Sequence, residues 1–255
     1  MNLILLEPHE VPVEPNEPDA SVEVTLAGAR ASHLLHVLRA SPGARVRIGL
    51  IDGPAGTGTV EALDAGSVTL RCTFEGPTPP RPLVDLLLAL PRPKVMRRLW
   101  AQLAAMGVGR IILTNAARVE RNYFDTHVLD PAEYRPLLVE GLQQAQDTRL
   151  PRVSIHRRFR PLIEDELDTL SSDGRRLVAH PSTGAAPLAW PTGAARVLMA
   201  IGPEGGWDDY EVRLLETHGF TPAHLGSRTL RTDTACIALL AALRAWRPGQ
   251  DIRRR

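Results

Sequence analysis

The sequence predicts a two-part α/β protein, in which a small β-rich N-terminal module precedes a larger domain built on a mostly parallel sheet. Three observations carry this expectation. Residues 1–76 read as short strands and turns, residues 77–82 as a proline-rich linker, and residues 83–255 as strands alternating with helices. At 255 residues the chain is long enough for one large domain or two modest ones.

The elements follow in order. Pro8, Pro12, Pro15 and Pro18 recur among acidic residues and suggest an extended surface segment. SVEVTLAG alternates as a half-buried strand does, and ARASHLLHVLRA reads as a short helix closed by the Ser41-Pro42-Gly43 turn. RVRIGLIDG, TGTVEALDAG and SVTLRCTF are three strands separated by glycine turns. The linker is centred on Gly76-Pro77-Thr78-Pro79-Pro80-Arg81-Pro82. Beyond it, LVDLLLAL is a continuous apolar run, as in a strand buried on both faces. VMRRLWAQLAAMG has helical spacing through Val95, Leu99, Leu103 and Met106 and stops at Gly107, and GRIILTNA is a second strand. Asp130-Pro131-Ala132-Glu133 offers an N-cap, a proline at N1 and a capping-box acid for a helix towards Gln146. Pro136 inside that helix implies a kink or a later start. RVSIH, RRLVAHP, ARVLMAIG and AHLG supply further strands, with helices around residues 160–170, 208–218 and 233–247.

Composition narrows the function classes. Hydrophobic residues make up 44%, and no apolar run reaches the roughly 18 residues that a membrane span needs. MNLILLEPHE lacks a basic n-region and a small-residue cleavage site, so no signal peptide and a cytoplasmic location are expected. Cys72 and Cys236 are the only cysteines, and they predict neither a structural disulfide nor, with scattered histidines, a metal site. Net charge is +1, so any nucleic-acid surface must be local. Lys94 is the only lysine; the dominance of arginine suits phosphate recognition but equally reflects codon bias.

Two constellations stand out. Ile201-Gly202-Pro203-Glu204-Gly205-Gly206 follows a strand and precedes a helix, whose start carries the capping-box pair Asp208 and Glu211. Glycines in such a loop let backbone N–H groups approach a ligand closely, although the pattern is neither a Walker A loop nor GxGxxG. A plain tight turn is the alternative. The second is Leu225-Gly226-Ser227-Arg228-Thr229-Leu230-Arg231-Thr232-Asp233-Thr234-Ala235, which leads into the helix TACIALLAALRAW. Arg228 and Arg231 concentrate positive charge before a helix N-terminus, or are a solvated pair; Thr232 or Asp233 would cap the helix. Both constellations lie at strand-to-helix junctions, where an open α/β sheet places its ligand crevice.

IGPEGGW followed by LGSRTLRTDTA resembles the C-terminal signature of the 16S ribosomal RNA uracil-N3 methyltransferases, of the SPOUT class. HLLHVLRASPGARV resembles that family's PUA-like module at His33, Val37, Leu38, Arg39 and Gly43. LALPRPK through MGVGRI resembles the start of its catalytic domain, and EGLQQAQDTRLP a further segment at Glu140, Gln144 and Pro151. The departures are Ala105-Met106 where a Glu usually stands ahead of Leu-Gly-Val, Asp147 in place of a common arginine, with Arg149 close by, and Asp233 where Glu is commoner.

The resemblance implies a PUA-like RNA-binding module at 1–76, a linker at 77–82 and a SPOUT domain with a deep trefoil knot at 83–255. It implies S-adenosylmethionine as methyl donor, 16S ribosomal RNA in the small subunit as partner, no membrane, and a homodimer. The donor is then expected against Leu198, Ala200, Ile201, Gly202, Glu204, Gly205, Gly206, Leu225, Gly226, Ser227, Arg228 and Leu230. His33, Arg39, Arg118 and Arg149 are expected to touch RNA. Uracil N3 carries a proton at neutral pH, so Arg231, with Arg228, is the expected stabiliser of the anion that its removal leaves. Glu204 and Asp233 are the expected bases, with a loop hydrogen bond and a helix cap as their structural alternatives. Cys236 lies on an apolar helix face and reads as a core thiol rather than a nucleophile, and His180 before Pro181 lines the cleft or serves structure. His36 and the basic run Arg157, Arg158 and Arg160 are further RNA contacts or solvated faces; Arg253-Arg254-Arg255 reads as a tail. The competing readings are a related enzyme acting on another RNA or position, and a non-catalytic RNA-binding assembly factor.

Overall fold

A computed structural model gives the fold and describes residues 3–11, 21–171, 174–180, 185–193 and 195–245. Pro12, Pro15, Pro18, Pro181 and the terminal arginines lie outside the described residues. The chain forms two compact units: residues 1–81 with 139–150, and residues 82–138 with 151–255.

The first unit is a mixed five-stranded sheet. Its strands are β1 (Ile4–Leu6), β2 (Ser21–Ala27), β3 (Arg45–Leu50), β4 (Ala55–Leu63) and β5 (Ser67–Glu75), in the order β1-β3-β4-β5-β2. β1 pairs in parallel with β3, and the other pairs are antiparallel. The period-two pattern of β2 works as expected: Val22, Val24 and Leu26 turn inward onto Ile48, Val68, Leu70 and Cys72, and the residues between them face out. Pro8 departs from the extended reading, because Pro8–Glu10 is one turn of 3₁₀ helix.

The predicted helix after β2 is α1 (Gly28–Ser32), which widens into a π-helical turn over His33–Val37. It ends earlier than the Ser41-Pro42-Gly43 turn, because Arg39 already takes a left-handed conformation with φ 49°. Leu34 packs into the core, while Val37 and Leu38 are exposed.

Val139–Leu150, distant in sequence, completes this unit. Thr148 is buried; its hydroxyl donates to the Gly53 carbonyl at 2.6 Å and its carbonyl accepts from Asp52 N at 2.8 Å. Nearer the N-terminus, Arg30 donates to the Leu5 carbonyl at 3.0 Å and grips the Glu10 carboxylate with both terminal nitrogens.

The second unit is a seven-stranded sheet in which every pair is parallel. Its strands are β6 (Val84–Ala89), β7 (Val108–Thr114), β8 (Arg152–His156), β9 (Arg175–Ala179), β10 (Ala186–Pro187), β11 (Val197–Ile201) and β12 (Phe220–His224). The order is β10-β12-β9-β11-β6-β7-β8. The apolar run becomes β6, buried at every position including Asp85, whose carboxylate accepts from Arg196 Nη2 at 2.8 and 3.0 Å. A charge with so little water needs such a partner.

The helices are α2 (Pro93–Ala105), α3 (Pro131–Ala145), α4 (Phe159–Pro161), α5 (Leu167–Leu170), α6 (Asp209–Thr217) and α7 (Thr232–Ala245). α2 buries Met96, Leu99, Trp100 and Leu103 along one stripe and stops at Gly107, φ 67°. α3 starts at Pro131 as its cap signal predicts, with Asp130 Oδ1 accepting from Ala132 N at 2.9 Å, and runs on through Pro136. The single helix expected around 160–170 is α4 and α5 joined by a π-helical turn at Leu162–Glu166. β12 begins at Phe220 and ends at His224, earlier than the AHLG reading.

The Glu10 carboxyl is held below its ordinary value, first of all by the hydrogen bond from Arg30. A carboxyl lowered by folding contributes stability above its unfolded pKa and loses it as pH falls through the folded one. Glu10→Gln should therefore cost roughly 1–2 kcal/mol at neutral pH. In urea titrations the gap from wild type should close as pH falls through the carboxylate range; a gap unchanged by pH would contradict this.

Candidate functional site

Parallel strands put all their carboxyl ends at one edge of the sheet. β6, β7 and β8 step one way in the order, β9 and β12 lie on the other side, and β11 sits between β6 and β9. That reversal of direction is where an open α/β sheet leaves a crevice. The loops that follow β11 and β12 leave from either side of the end of β9.

They meet in one cavity of about 310 Å³. Its lining includes Ile201, Gly202, Glu204, Gly205 and Gly206 from the first loop, and Leu225, Gly226, Arg228 and Leu230 from the second. These expected contacts are thus brought together. Leu198 and Ala200 are buried in β11 behind the cavity, and neither they nor Ser227 belong to the lining. The volume suits a small organic ligand. Ile201, Pro203, Leu225, Leu230 and Leu239 make most of the wall apolar, and the glycines leave backbone polar groups within reach.

The first loop is built around its glycines. Gly206 N donates to the Pro203 carbonyl at 2.8 Å, closing a turn in which Gly206 has φ 73°. A Cβ on Gly202 would lie 3.0 Å from Trp207 N and 3.2 Å from the Gly206 carbonyl carbon, so a side chain there would require the folded-back loop to give by a few tenths of an ångström. Trp207 is buried and tilts against Phe159, ring centroids 5.3 Å apart.

Asp208 and Glu211 form the predicted capping box of α6, at 2.8 and 2.9 Å. Glu211 does more than the sequence pattern shows. It is 3% exposed, and its second oxygen accepts from Ala117 N at 2.6 Å. Burial pushes its carboxyl up, against the hydrogen bonds from Asp208 and Ala117. The neighbour of Ala117 is Arg118, which lies across Gly205, donates from Nη1 to the Gly205 carbonyl and lines the cavity. Arg118, expected as an RNA contact, is therefore part of the cavity wall.

The two expected bases have structural partners. Glu204 lines the cavity and accepts from Arg92 N at 3.2 Å, supplying an acceptor at the start of α2, where Arg92 has no side-chain cap of its own. Asp233 lies outside the lining and pairs with Arg98 at 3.0 Å. Its burial pushes the carboxyl up, but the hydrogen bonds from Thr234 N and Arg98 outweigh this and hold it low. Thr232, rather than capping α7, is its first residue; its buried hydroxyl makes a long 3.5 Å hydrogen bond to the Gly202 carbonyl and links the two loops.

Arg228 lines the cavity, whereas Arg231 is exposed and outside the lining. Cys236 is fully buried, its thiol pushed up to about 12 first of all by burial, which is the state of a core thiol. His180 lines the cavity, as does His224, which sequence reasoning placed only in a strand. No local signal marked His224, because what makes it part of the site is the position of β12 beside β9.

The remaining RNA-contact expectations lie elsewhere. His33 is half-buried and Arg39 exposed in the first unit. Arg149 is committed internally, to the Pro79 carbonyl and, at 3.2 Å, to the Asp52 carbonyl. Arg157 pairs with Asp125 at 2.9 Å and Arg160 with Glu164 at 2.8 Å, so both are satisfied within the fold. Among the described residues there is no cluster that could hold a metal, and no helix long and apolar enough to cross a membrane.

Comparison with known proteins agrees with this layout. Residues 26–71 match the RNA methyltransferase PUA domain, and residues 78–244 the RNA methyltransferase domain. The chain is 28% identical to the ribosomal RNA small subunit methyltransferase E of Treponema pallidum, over 98% of this chain and 96% of that protein. It is also 28% identical to the protein of the same name from Synechocystis, over 89% and 75%. The crystal structure of ribosomal RNA small subunit methyltransferase E from Neisseria gonorrhoeae, bound to S-adenosyl methionine, shares the fold with a TM-score of 0.74 at 22% identity, covering 96% of this chain and 97% of that one. A family match that extends over well more than half of the sequence, and over all the cavity-forming elements, shows that this chain belongs to the RNA methyltransferase family.

Proposed function

We propose that this chain methylates N3 of a uridine in 16S ribosomal RNA of the small subunit, with S-adenosylmethionine as donor. The observation that carries the proposal is the single cavity formed where the glycine loops after β11 and β12 meet. Apolar walls suit a purine and the methylene groups of the donor, and glycine-exposed backbone suits the polar atoms of a nucleoside and an amino acid. The names of the relatives support ribosomal RNA as substrate, and the Neisseria protein's ligand supports the donor. The proposal includes a cytoplasmic homodimer and a PUA-like module that contacts RNA through His33 and Arg39. It also includes the threaded chain path that the resemblance implies, which the insertion of β11 between β6 and β9 supports.

S-adenosylmethionine, when bound, supplies an electrophilic methyl group. The protein's own task is to position the base in line with that group and to manage one proton and one negative charge. Loss of the N3–H proton would leave the N3 electron pair free to take up the methyl group, with the donor sulfur keeping the pair of the broken carbon–sulfur bond, so the site must accept one proton and stabilise the imidate. We assign the second task to Arg118 and Arg228, a reading supported by their position in the cavity wall. Arg118 is held there by the Gly205 carbonyl and by Glu211 acting through Ala117. Arg231 and Asp233, outside the lining, suit contact with neighbouring phosphate and the anchoring of α7 through Arg98. Glu204 is the carboxylate in the lining and the residue we assign as proton acceptor.

Methylation of small-subunit RNA from a strain lacking the enzyme, read by mass spectrometry of the nucleosides, tests the function. N3-methyluridine should appear, whereas a different base or none would overturn the reading. Gly202→Ala should weaken S-adenosylhomocysteine at least about tenfold in calorimetry, or about 1.4 kcal/mol, because the added methyl wedges the loop open; unchanged affinity would argue against the cavity. In single-turnover assays Arg118→Ala should lose about a hundredfold in rate. Cys236→Ala should stay within about threefold of wild type. The reverse ranking would make the thiol a nucleophile.

A further inference from the structure

His224 is the last residue of β12, half-buried, and one of the imidazoles lining the cavity. Beside it in the sheet, β9 ends at Ala179, which pairs with Ala223, and His180 N donates to the Ala223 carbonyl at 3.2 Å. The side chain of His224 therefore stands at the carboxyl edge of the sheet, where the second glycine loop begins.

One ring nitrogen of His224 is already committed. Gly226 N donates to Nδ1 at 2.9 Å, across a loop whose turn depends on Gly226 at φ 111°. A nitrogen that accepts carries no proton, so while this bond stands the imidazole is neutral and its proton is on Nε2. The loop thus fixes the tautomer and leaves the residue a single donor.

We propose that His224 Nε2–H donates a hydrogen bond to an acceptor on the adenosine half of the bound donor, making His224 a ligand-reading residue. This rests on the methyl-donor reading of the cavity. The choice of half follows from charge matching. A neutral donor suits the uncharged nitrogen and oxygen acceptors of a nucleoside, whereas a carboxylate is better met by a charged donor than by a neutral imidazole. The Nδ1 bond to Gly226 gives the ring its orientation before any ligand arrives, so little ordering is left to binding.

Isosteric substitutions separate the two ring nitrogens. His224→Asn keeps an acceptor near the Nδ1 position for Gly226 N–H and removes the Nε2 donor. His224→Gln keeps a donor near Nε2 and loses the acceptor. His224→Phe keeps neither. Calorimetry with S-adenosylhomocysteine and with 5′-methylthioadenosine, alongside thermal melting, reads all three. His224→Asn should melt as wild type does and bind both probes about tenfold more weakly, by the same factor; His224→Gln should stay within about threefold of wild type. Wild-type affinity in His224→Asn would show that the imidazole only holds Gly226 and would overturn the proposal. So would His224→Gln binding as weakly as His224→Phe, or a loss seen with S-adenosylhomocysteine alone, which would move the acceptor to the amino-acid half. A wild-type protein with no affinity for either probe would overturn the methyl-donor reading and this inference with it, an outcome distinct from the others.

Discussion

The common direction of the strands around β9 is the constraint from which the site follows. In a parallel sheet each strand delivers its following loop to the same edge, so two glycine-bearing segments separated by residues 207–224 emerge side by side. Burial of β6 and β11 on both faces fixes that edge in place: Val84–Ala89 and Val197–Ile201 are buried at every position and pair in register over five residues. Burial of this kind specifies register strongly, because a slip would move charged or small residues into the wrong layer. The one charge within β6, Asp85, is neutralised by Arg196 at the start of β11, so even the polar exception ties the two strands together.

On that frame the loops are held by a few contacts of long sequence separation. Glu211 joins the start of α6 to the segment after β7, and that segment carries Arg118 onto Gly205. Thr232 joins α7 to Gly202, and Glu204 joins the first loop to the start of α2. Buried polar groups with satisfied partners cost little and orient what they hold; a broken member leaves its partner unpaired in a dry place. Glu204 and Asp233 add exposed ties to α2, through Arg92 N and Arg98.

Much of the fold was legible because burial leaves a period in the sequence. The alternation of Val22, Val24 and Leu26, the unbroken run ending at Leu90, and the stripe Leu99–Leu103 with Gly107 behind it are the clearest such traces. Other features left no such trace. The π-helical turns at His33–Val37 and Leu162–Glu166 have the composition of ordinary helix. β12 contains Pro222, which cannot donate to a ladder and so interrupts the local strand signal, yet the strand starts at Phe220. Of the site, the glycine loops were visible as motifs, Trp207 with the first of them, but Arg118 as a wall residue and His224 were not, since each depends on which strands are neighbours and a single sequence does not state that order.

Whether two separate loops form one pocket for a methyl donor can be seen in a crystal structure of the protein with S-adenosylhomocysteine. The ligand should lodge between residues 202–206 and 225–230, with backbone groups of both loops on its polar atoms. A ligand bound elsewhere on the molecule, or touching one loop while the other stays clear of it, would show that the two loops do not share a donor site.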